Sequence, residues 1–215
     1  MTMNTWIGHY GFPIVGLTGS ISSGKTFVAS IARSFGFEHI NTDDIAKNIL
    51  RQDREIQERA QTITGIQPVR LDGSIDKAFG KTLFSNPTML KEYEALIHPL
   101  VFKNIQIFFD TLVPPYPKGL LIESAIWRQL EEIPTFDSIW VVEAPEHKRV
   151  ERFLVKNPDG LGLFKEINLN QLKSSPKIDS PMYTIINDGR DLHQVIEGIC
   201  NETIKEWAKL NNLRA

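Results

Sequence analysis

The sequence predicts an α/β fold with a parallel sheet, and three observations predict it. Residues 13–18, Pro-Ile-Val-Gly-Leu-Thr, read as a short buried strand, apolar and followed by glycine. Residues 26–35 then carry helical spacing, with Phe27, Val28, Ile31, Ala32 and Phe35 on one side and Gly36 placed to end the helix. Residues 37–41 form a second strand-like run. Strand, helix, strand in that order begins a βαβ unit, whose two strands lie parallel.

Later elements follow from the same rules. Residues 44–64 read as one charged helix with acids near its start. Leu71-Asp72-Gly73-Ser74 is a turn, residues 76–84 are helical, and Asn86 or Ser85 caps a further helix with Pro87 at its first position. His98-Pro99 is expected to interrupt or kink that helix. It resumes over residues 101–112, with Val101, Ile105, Phe108, Phe109 and Leu112 spaced for a buried face. Residues 60–113 therefore form an all-helical insertion, left through the stiff connector Pro114-Pro115-Tyr116-Pro117. Strands return at residues 120–122 and 138–142. A charged helix spans residues 147–155, Asn157-Pro158-Asp159-Gly160 breaks the chain, and one more helix is expected near residues 165–172. A last strand at residues 183–187 precedes an amphipathic helix over residues 192–210, with Val195, Ile196, Ile199, Ile204 and Trp207 on its apolar side.

Composition excludes several classes. The 215 residues are 41% hydrophobic and 23% charged, a globular balance, and the net charge of −2 offers no field to gather nucleic acid or an anionic membrane. Neither partner is expected. The single cysteine, Cys200, cannot close an internal disulfide, which fits a reducing cytoplasm. Residues 1–6 lack a basic stretch leading into an apolar run, so no signal peptide is expected. No run approaches the roughly 18 apolar residues of a membrane span. A monomer or weak homo-oligomer is expected.

The chemistry begins at Gly19-Ser20-Ile21-Ser22-Ser23-Gly24-Lys25-Thr26, a full match to G-x-x-x-x-G-K-[ST] set between a strand and a helix. Gly19 and Gly24 let the backbone turn tightly and approach phosphate oxygens that a Cβ would block. Amides from Ser22 to Thr26 can point inward, and the helix that opens there, with Phe27 in its first turn, adds its positive end. Lys25 can reach the β- and γ-phosphates of ATP. Thr26 offers a hydroxyl to Mg2+, a hard ion that takes oxygen ligands. Asn41-Thr42-Asp43-Asp44 stands where the second strand ends, and ligands of parallel α/β sheets bind beyond such ends. Asp43 is the candidate base for an attacking hydroxyl, while Asp44 suits the helix N-terminus. Arg149 and Arg152, with Lys148, read as a solvated helix face from which Arg152 can swing toward phosphates. His9, His39, His147 and His193 lack metal-ligand spacing and are assigned no site. Trp127 and Trp140 read as core.

With these residues placed, the chain resembles the dephospho-coenzyme A kinase family over about residues 13–200. The likeness runs through Val15-Gly16-Leu17-Thr18-Gly19, Ser23-Gly24-Lys25-Thr26 and Asn41-Thr42-Asp43-Asp44-Ile45-Ala46. It continues through Asp72-Gly73-Ser74-Ile75-Asp76-Lys77, Ile97-His98-Pro99-Leu100-Val101, Val142-Glu143-Ala144-Pro145-Glu146 and Ile185-Ile186-Asn187-Asp188-Gly189. The resemblance implies a three-layer P-loop NTPase fold with a five-stranded parallel sheet, and ATP-dependent phosphorylation of the 3′-hydroxyl of dephospho-coenzyme A. It implies core segments at residues 1–59, 114–146 and 181–215, a coenzyme A-binding insertion at 60–113 and a lid at 147–180. It places Asp43 as catalytic base, Arg152 and Asn187 at the nucleotide, and Lys77, His98 and Glu123 at the substrate. Glu123 stands at a strand end, where an acid can hold magnesium through water.

This chain departs from the family pattern at Glu123-Ser124-Ala125-Ile126-Trp127-Arg128-Gln129, where the family shows Asp-x-Pro-Leu-Leu-Phe-Glu, and at Lys156, Asn41, Pro181-Met182 and Lys77. Those departures leave two alternatives open: a diverged kinase for another nucleoside or nucleotide, and a nucleotide-binding module without turnover.

Overall fold

The first strand, β1 (Ile14–Gly19), lies at the centre of a sheet because every one of its six residues is buried. A computed structural model describes residues 10–125, 136–172 and 182–212 of the chain. Its other strands are β2 (Phe37–Asn41), β3 (Gly119–Glu123), β4 (Ser138–Glu143) and β5 (Met182–Ile186). They form one five-stranded sheet in the order β2-β3-β1-β4-β5, with every pair parallel. The three inner strands are apolar and buried along almost their whole length, as strands covered on both faces must be. The edge strands β2 and β5 alternate with exposed positions.

The chain divides into two compact units. The sheet unit runs to Asn41 and includes Val113–Phe164 and the residues from Asn168 onward. Its helices are α1 (Lys25–Ser34), α6 (Glu146–Lys156), most of α7 (Leu161–Leu172) and α8 (His193–Asn212). The core on one side joins Val15, Leu17, Leu121 and Val142 of the sheet to Val28, Ala29, Ile31 and Ala32 of α1 and to Ile196 and Cys200 of α8. Phe37 stacks at a tilt on Trp140, 5.6 Å between ring centres, and the Trp140 indole N–H donates to Thr203 Oγ1 at 3.3 Å. Burial pushes the Cys200 thiol up to about 12, so it stays protonated.

The helical unit comprises Thr42–Leu112 with Lys165–Ile167. Its helices are α2 (Thr42–Gln52), α3 (Arg54–Thr64), α4 (Lys77–Ser85) and α5 (Pro87–Thr111). It begins at Thr42, and residue 60 lies within α3. Asp76 caps α4 by accepting from the Ala78 amide and also pairs with Arg70 at 2.9 Å, closing the turn at Gly73. Asn86 caps α5 through the Thr88 and Met89 amides. Phe79 meets Tyr93 edge-on at 5.5 Å.

Several expectations need correction. The helix expected over residues 44–64 is two helices, because Asp53 leaves helical geometry and turns its carboxylate onto the Ile56 amide to start α3. The helix expected to be interrupted or kinked at His98-Pro99 is not interrupted: it runs for 25 residues, with Leu96, Ile97, Val101, Ile105 and Phe109 buried on either side of Pro99. Helical spacing puts Phe27 and Val195 on the apolar faces of their helices, yet they are 51% and 48% exposed. Ala29 takes the inward place in α1. Helix α7 starts at Leu161, four residues before the expected position. Trp127, Arg128, Gln129 and Pro181 lie outside the described residues.

A Cβ on Gly16 of β1 would stand 2.7 Å from the Phe136 ring, so any larger residue there forces that ring or the strand to shift. Gly16→Ala is expected to lower folding stability by about 1–3 kcal/mol through overpacking, read as a fall in the urea midpoint with an unchanged m-value.

Candidate functional site

The turn between β1 and α1 has the backbone its glycines permit. Gly19 has φ 151°, Ser22 takes φ 57°, and Gly24 stands at φ 96° as the N-cap of α1. An added Cβ on Gly19 would run into the Val142 carbonyl, and one on Gly24 would land on Asn187 Nδ2. Backbone conformation and space therefore require glycine at both positions. Lys25 is 9% exposed, and its Nζ donates to the Gly19 carbonyl at 3.1 Å and the Ser20 carbonyl at 3.4 Å. The ammonium thus sits over the turn itself. Ser23 Oγ is buried and has no hydrogen-bond partner among the described residues, leaving an unmet donor in the turn.

Three side chains from later in the sequence fasten this turn. Asn187, one residue beyond β5, donates from Nδ2 to the Ser23 carbonyl at 2.9 Å, and its own amide donates to the Glu143 carbonyl at 2.7 Å. Arg152 of α6 donates from one nitrogen to the Ser23 carbonyl at 3.3 Å and from another to the Asn187 carbonyl and Oδ1 at 3.2 and 3.1 Å. Gln171 of α7 accepts the Ile21 amide at 2.7 Å.

On the other side of β1 stands Glu123, the last residue of β3, only 5% exposed. The Thr26 hydroxyl lies 3.1 Å from each of its carboxylate oxygens, and His39 Nε2 lies 2.9 Å from Oε2. Glu123 registers with Leu17 of β1 and with Asn41 of β2, so this carboxylate stands at the carboxyl end of the central strands.

The sheet unit thus brings together the predicted residues Gly19, Ser20, Ile21, Ser22, Ser23, Gly24, Lys25, Thr26, Glu123, Arg152 and Asn187. Phe27 follows the turn with its ring exposed. Asp43, Lys77 and His98 belong to the helical unit. Asp43 is exposed in the first turn of α2, two residues after β2 ends. Lys77 opens α4 with its side chain exposed. His98 is half-buried in α5, and burial lowers its pKa, favouring the neutral ring.

One expectation fails. Arg149 is not on a solvated face: it is 8% exposed, donates to Asn168 Oδ1 at 2.7 Å and to the Ala144 carbonyl at 3.2 Å, and lies 5.6 Å over the Phe164 ring. Burial lowers its pKa, and the nearby Glu146 partly offsets that. A buried guanidinium persists only with such partners. Arg152 likewise is engaged with the turn rather than solvated. His39 and Gln171 were missed. Strand alternation gives His39 the same face as Asn41, one clue to its place. Gln171 carried no sequence signal.

Among the described residues no group of three or more His, Cys, Asp or Glu side chains is arranged to hold a metal, and no helix is long and apolar enough to cross a membrane. The Thr26 hydroxyl beside the Glu123 carboxylate is an all-oxygen donor pair, which fits an ion that keeps most of its water, as Mg2+ does.

A family model described as dephospho-CoA kinase matches residues 13–192. A dephospho-CoA kinase of Latilactobacillus sakei is 29% identical over 201 residues, covering 88% of this chain and 96% of that protein. One from Wolinella succinogenes is 29% identical over 204 residues, covering 92% and 96%. One from Carboxydothermus hydrogenoformans is 32% identical over 146 residues, covering 67% and 71%. A crystal structure from Thermus thermophilus, 21% identical, shares the fold with a TM-score of 0.65 over 90% of this chain and 98% of that one.

Replacing Asn187 by leucine removes the donor to the Ser23 carbonyl and one of the two Asn187 acceptors for Arg152, leaving the backbone carbonyl. Asn187→Leu is expected to cost about 1–3 kcal/mol of folding stability, the usual penalty for stranding buried polar groups, measured by urea denaturation.

Proposed function

The chain belongs to the dephospho-CoA kinase family, and from that premise we propose how its site carries out the transfer. It is a kinase of coenzyme A synthesis: the γ-phosphoryl group of ATP passes to the 3′-hydroxyl of dephospho-coenzyme A. The observation that carries our reading of the site is the Thr26 hydroxyl 3.1 Å from the Glu123 carboxylate, directly after the turn that Lys25 overlies.

In this reading the amides of Ser22 to Thr26 and the Lys25 ammonium hold the β- and γ-phosphates, with the N-terminus of α1 adding its partial positive charge. Lys25 stabilises negative charge on the oxygens of the transferring group, where a loose transition state spreads it. Arg152 and Asn187 keep the Ser23 peptide from rotating, so the following amides remain aimed. Thr26 and Glu123 would hold Mg2+, which would supply positive charge to neutralise the phosphates. Asp43 accepts the proton of the 3′-hydroxyl as its oxygen bonds to the γ-phosphorus and the bond to the β,γ-bridging oxygen breaks, leaving ADP. Its place just past the carboxyl end of β2 supports that role.

Residues 60–113, with Lys77 and His98, are assigned to the coenzyme A moiety, and residues 147–180 to a lid that excludes water from the phosphoryl group. We place the protein in the cytoplasm, as a monomer or weak homo-oligomer that requires neither nucleic acid nor membrane.

Purified protein with ATP and Mg2+ is expected to release ADP when dephospho-coenzyme A is added and to release little without it, in a coupled ADP assay. ADP release that ignores the acceptor contradicts the reading. Asp43→Asn is expected to lower turnover about 100-fold or more while ATP affinity holds within roughly twofold. Equal losses in turnover and affinity would remove Asp43 from the proton-accepting role.

A further inference from the structure

The buried Glu123 carboxylate is reached from the neighbouring strand by an imidazole that the transfer described above does not use. His39 Nε2 lies 2.9 Å from Glu123 Oε2, and the two side chains are only 13% and 7% exposed. The contact follows from the register. In the parallel pair β2–β3, His39 stands opposite Leu121 and Asn41 opposite Glu123. Alternate residues of a strand share a face, so His39 and Glu123 are diagonal neighbours on one face of the sheet.

The Thr26 and His39 bonds to Glu123 differ in what they specify. Thr26 Oγ1 stands at the same 3.1 Å from both carboxylate oxygens, so its single proton is shared between them and holds neither strongly. The imidazole bonds Oε2 alone. We propose that His39 is a positioning residue: it donates from Nε2 to Oε2 and thereby fixes the rotation of the Glu123 carboxylate that faces Thr26 on the cation side of the site. The inference rests on the reading of Thr26 and Glu123 as the cation-holding pair. Solvent hardly competes for this bond, and donors that orient a ligating carboxylate act on metal affinity without touching the metal. A merely structural His39 would satisfy a buried carboxylate and nothing more.

Calorimetric ADP affinity, with Mg2+ and again with EDTA, separates these roles, because the ratio of the two measures the coupling between cation and nucleotide. His39→Leu is expected to reduce that ratio about 10-fold, and His39→Gln to restore it to within about threefold, the scale of outer-shell effects on metal affinity. Gln places an amide nitrogen near the position of Nε2. Asn places one near Nδ1 instead, so His39→Asn is expected to behave as His39→Leu, and it carries the test should the leucine variant not fold. ADP affinity in EDTA is expected to be unchanged throughout.

Glu123→Gln serves as the control and should abolish the coupling. Coupling lost in Glu123→Gln but kept in His39→Leu and His39→Asn overturns the role of His39 and leaves the proposed site standing. Coupling kept in Glu123→Gln, or absent from the unaltered protein, overturns both. ADP binding weakened equally with Mg2+ and with EDTA reduces His39 to a support of the fold and also overturns the inference.

Discussion

The peptide between Ser23 and Gly24 is held from both sides, and the phosphate-handling groups are arranged around that constraint. Its carbonyl accepts from Asn187 and Arg152. Its glycine takes a backbone conformation that L side chains rarely adopt, in space that a Cβ would contest with Asn187. Helix α1 can begin at once after that residue, which places the Lys25 ammonium over the turn and the Thr26 hydroxyl against Glu123. A loop free to flex would spend part of the nucleotide's binding energy on ordering itself, whereas a fastened one presents its amides already aligned.

Sheet topology explains why residues so distant in sequence meet there. The order β2-β3-β1-β4-β5 puts β1 in the middle, flanked by β3, which ends in Glu123, and by β4, whose last residue Glu143 receives the Asn187 amide. In a parallel sheet all carboxyl ends point one way, so the phosphate turn, the carboxylate and the asparagine arrive at one edge without any long loop. Burial of both faces of the three inner strands keeps that edge rigid. The functional groups rest on a scaffold whose fully buried side chains include Leu17, Leu121, Ile122 and Trp140.

Much of this was legible in the residues alone, for identifiable reasons. The phosphate turn has a backbone that only certain residue types can follow, so its glycines, lysine and threonine announce it. The inner strands are continuous apolar runs that fit few other structures. Signals that depend on distant partners were silent. Arg149 looked solvated because its Asn168 and Phe164 partners lie 15 or more positions away and have no charge to advertise the pairing. His39 finds its carboxylate 84 positions away through strand register, which spacing rules for metal ligands do not test. Asp53 sits in a charged helical stretch where a cap and a surface acid look alike, so two helices passed for one. Pro99 signals an interruption or a kink, and the helix is not interrupted because the apolar contacts of its long buried face outweigh one missing amide bond. Phe27 keeps the helical period of the buried face, although one step around a helix is enough to turn a ring to solvent.

The central claim is that the fastened Gly19–Thr26 turn is the seat of the polyphosphate. A crystal structure with Mg2+ and a non-hydrolysable ATP analogue tests it most directly. The β- and γ-phosphates are expected inside the turn, contacted by the amides up to Thr26 and by Lys25, with the Asn187 and Arg152 bonds to Ser23 retained. An occupied nucleotide site elsewhere with the turn empty, or a turn that releases Asn187 and Arg152 to admit the phosphates, would contradict it.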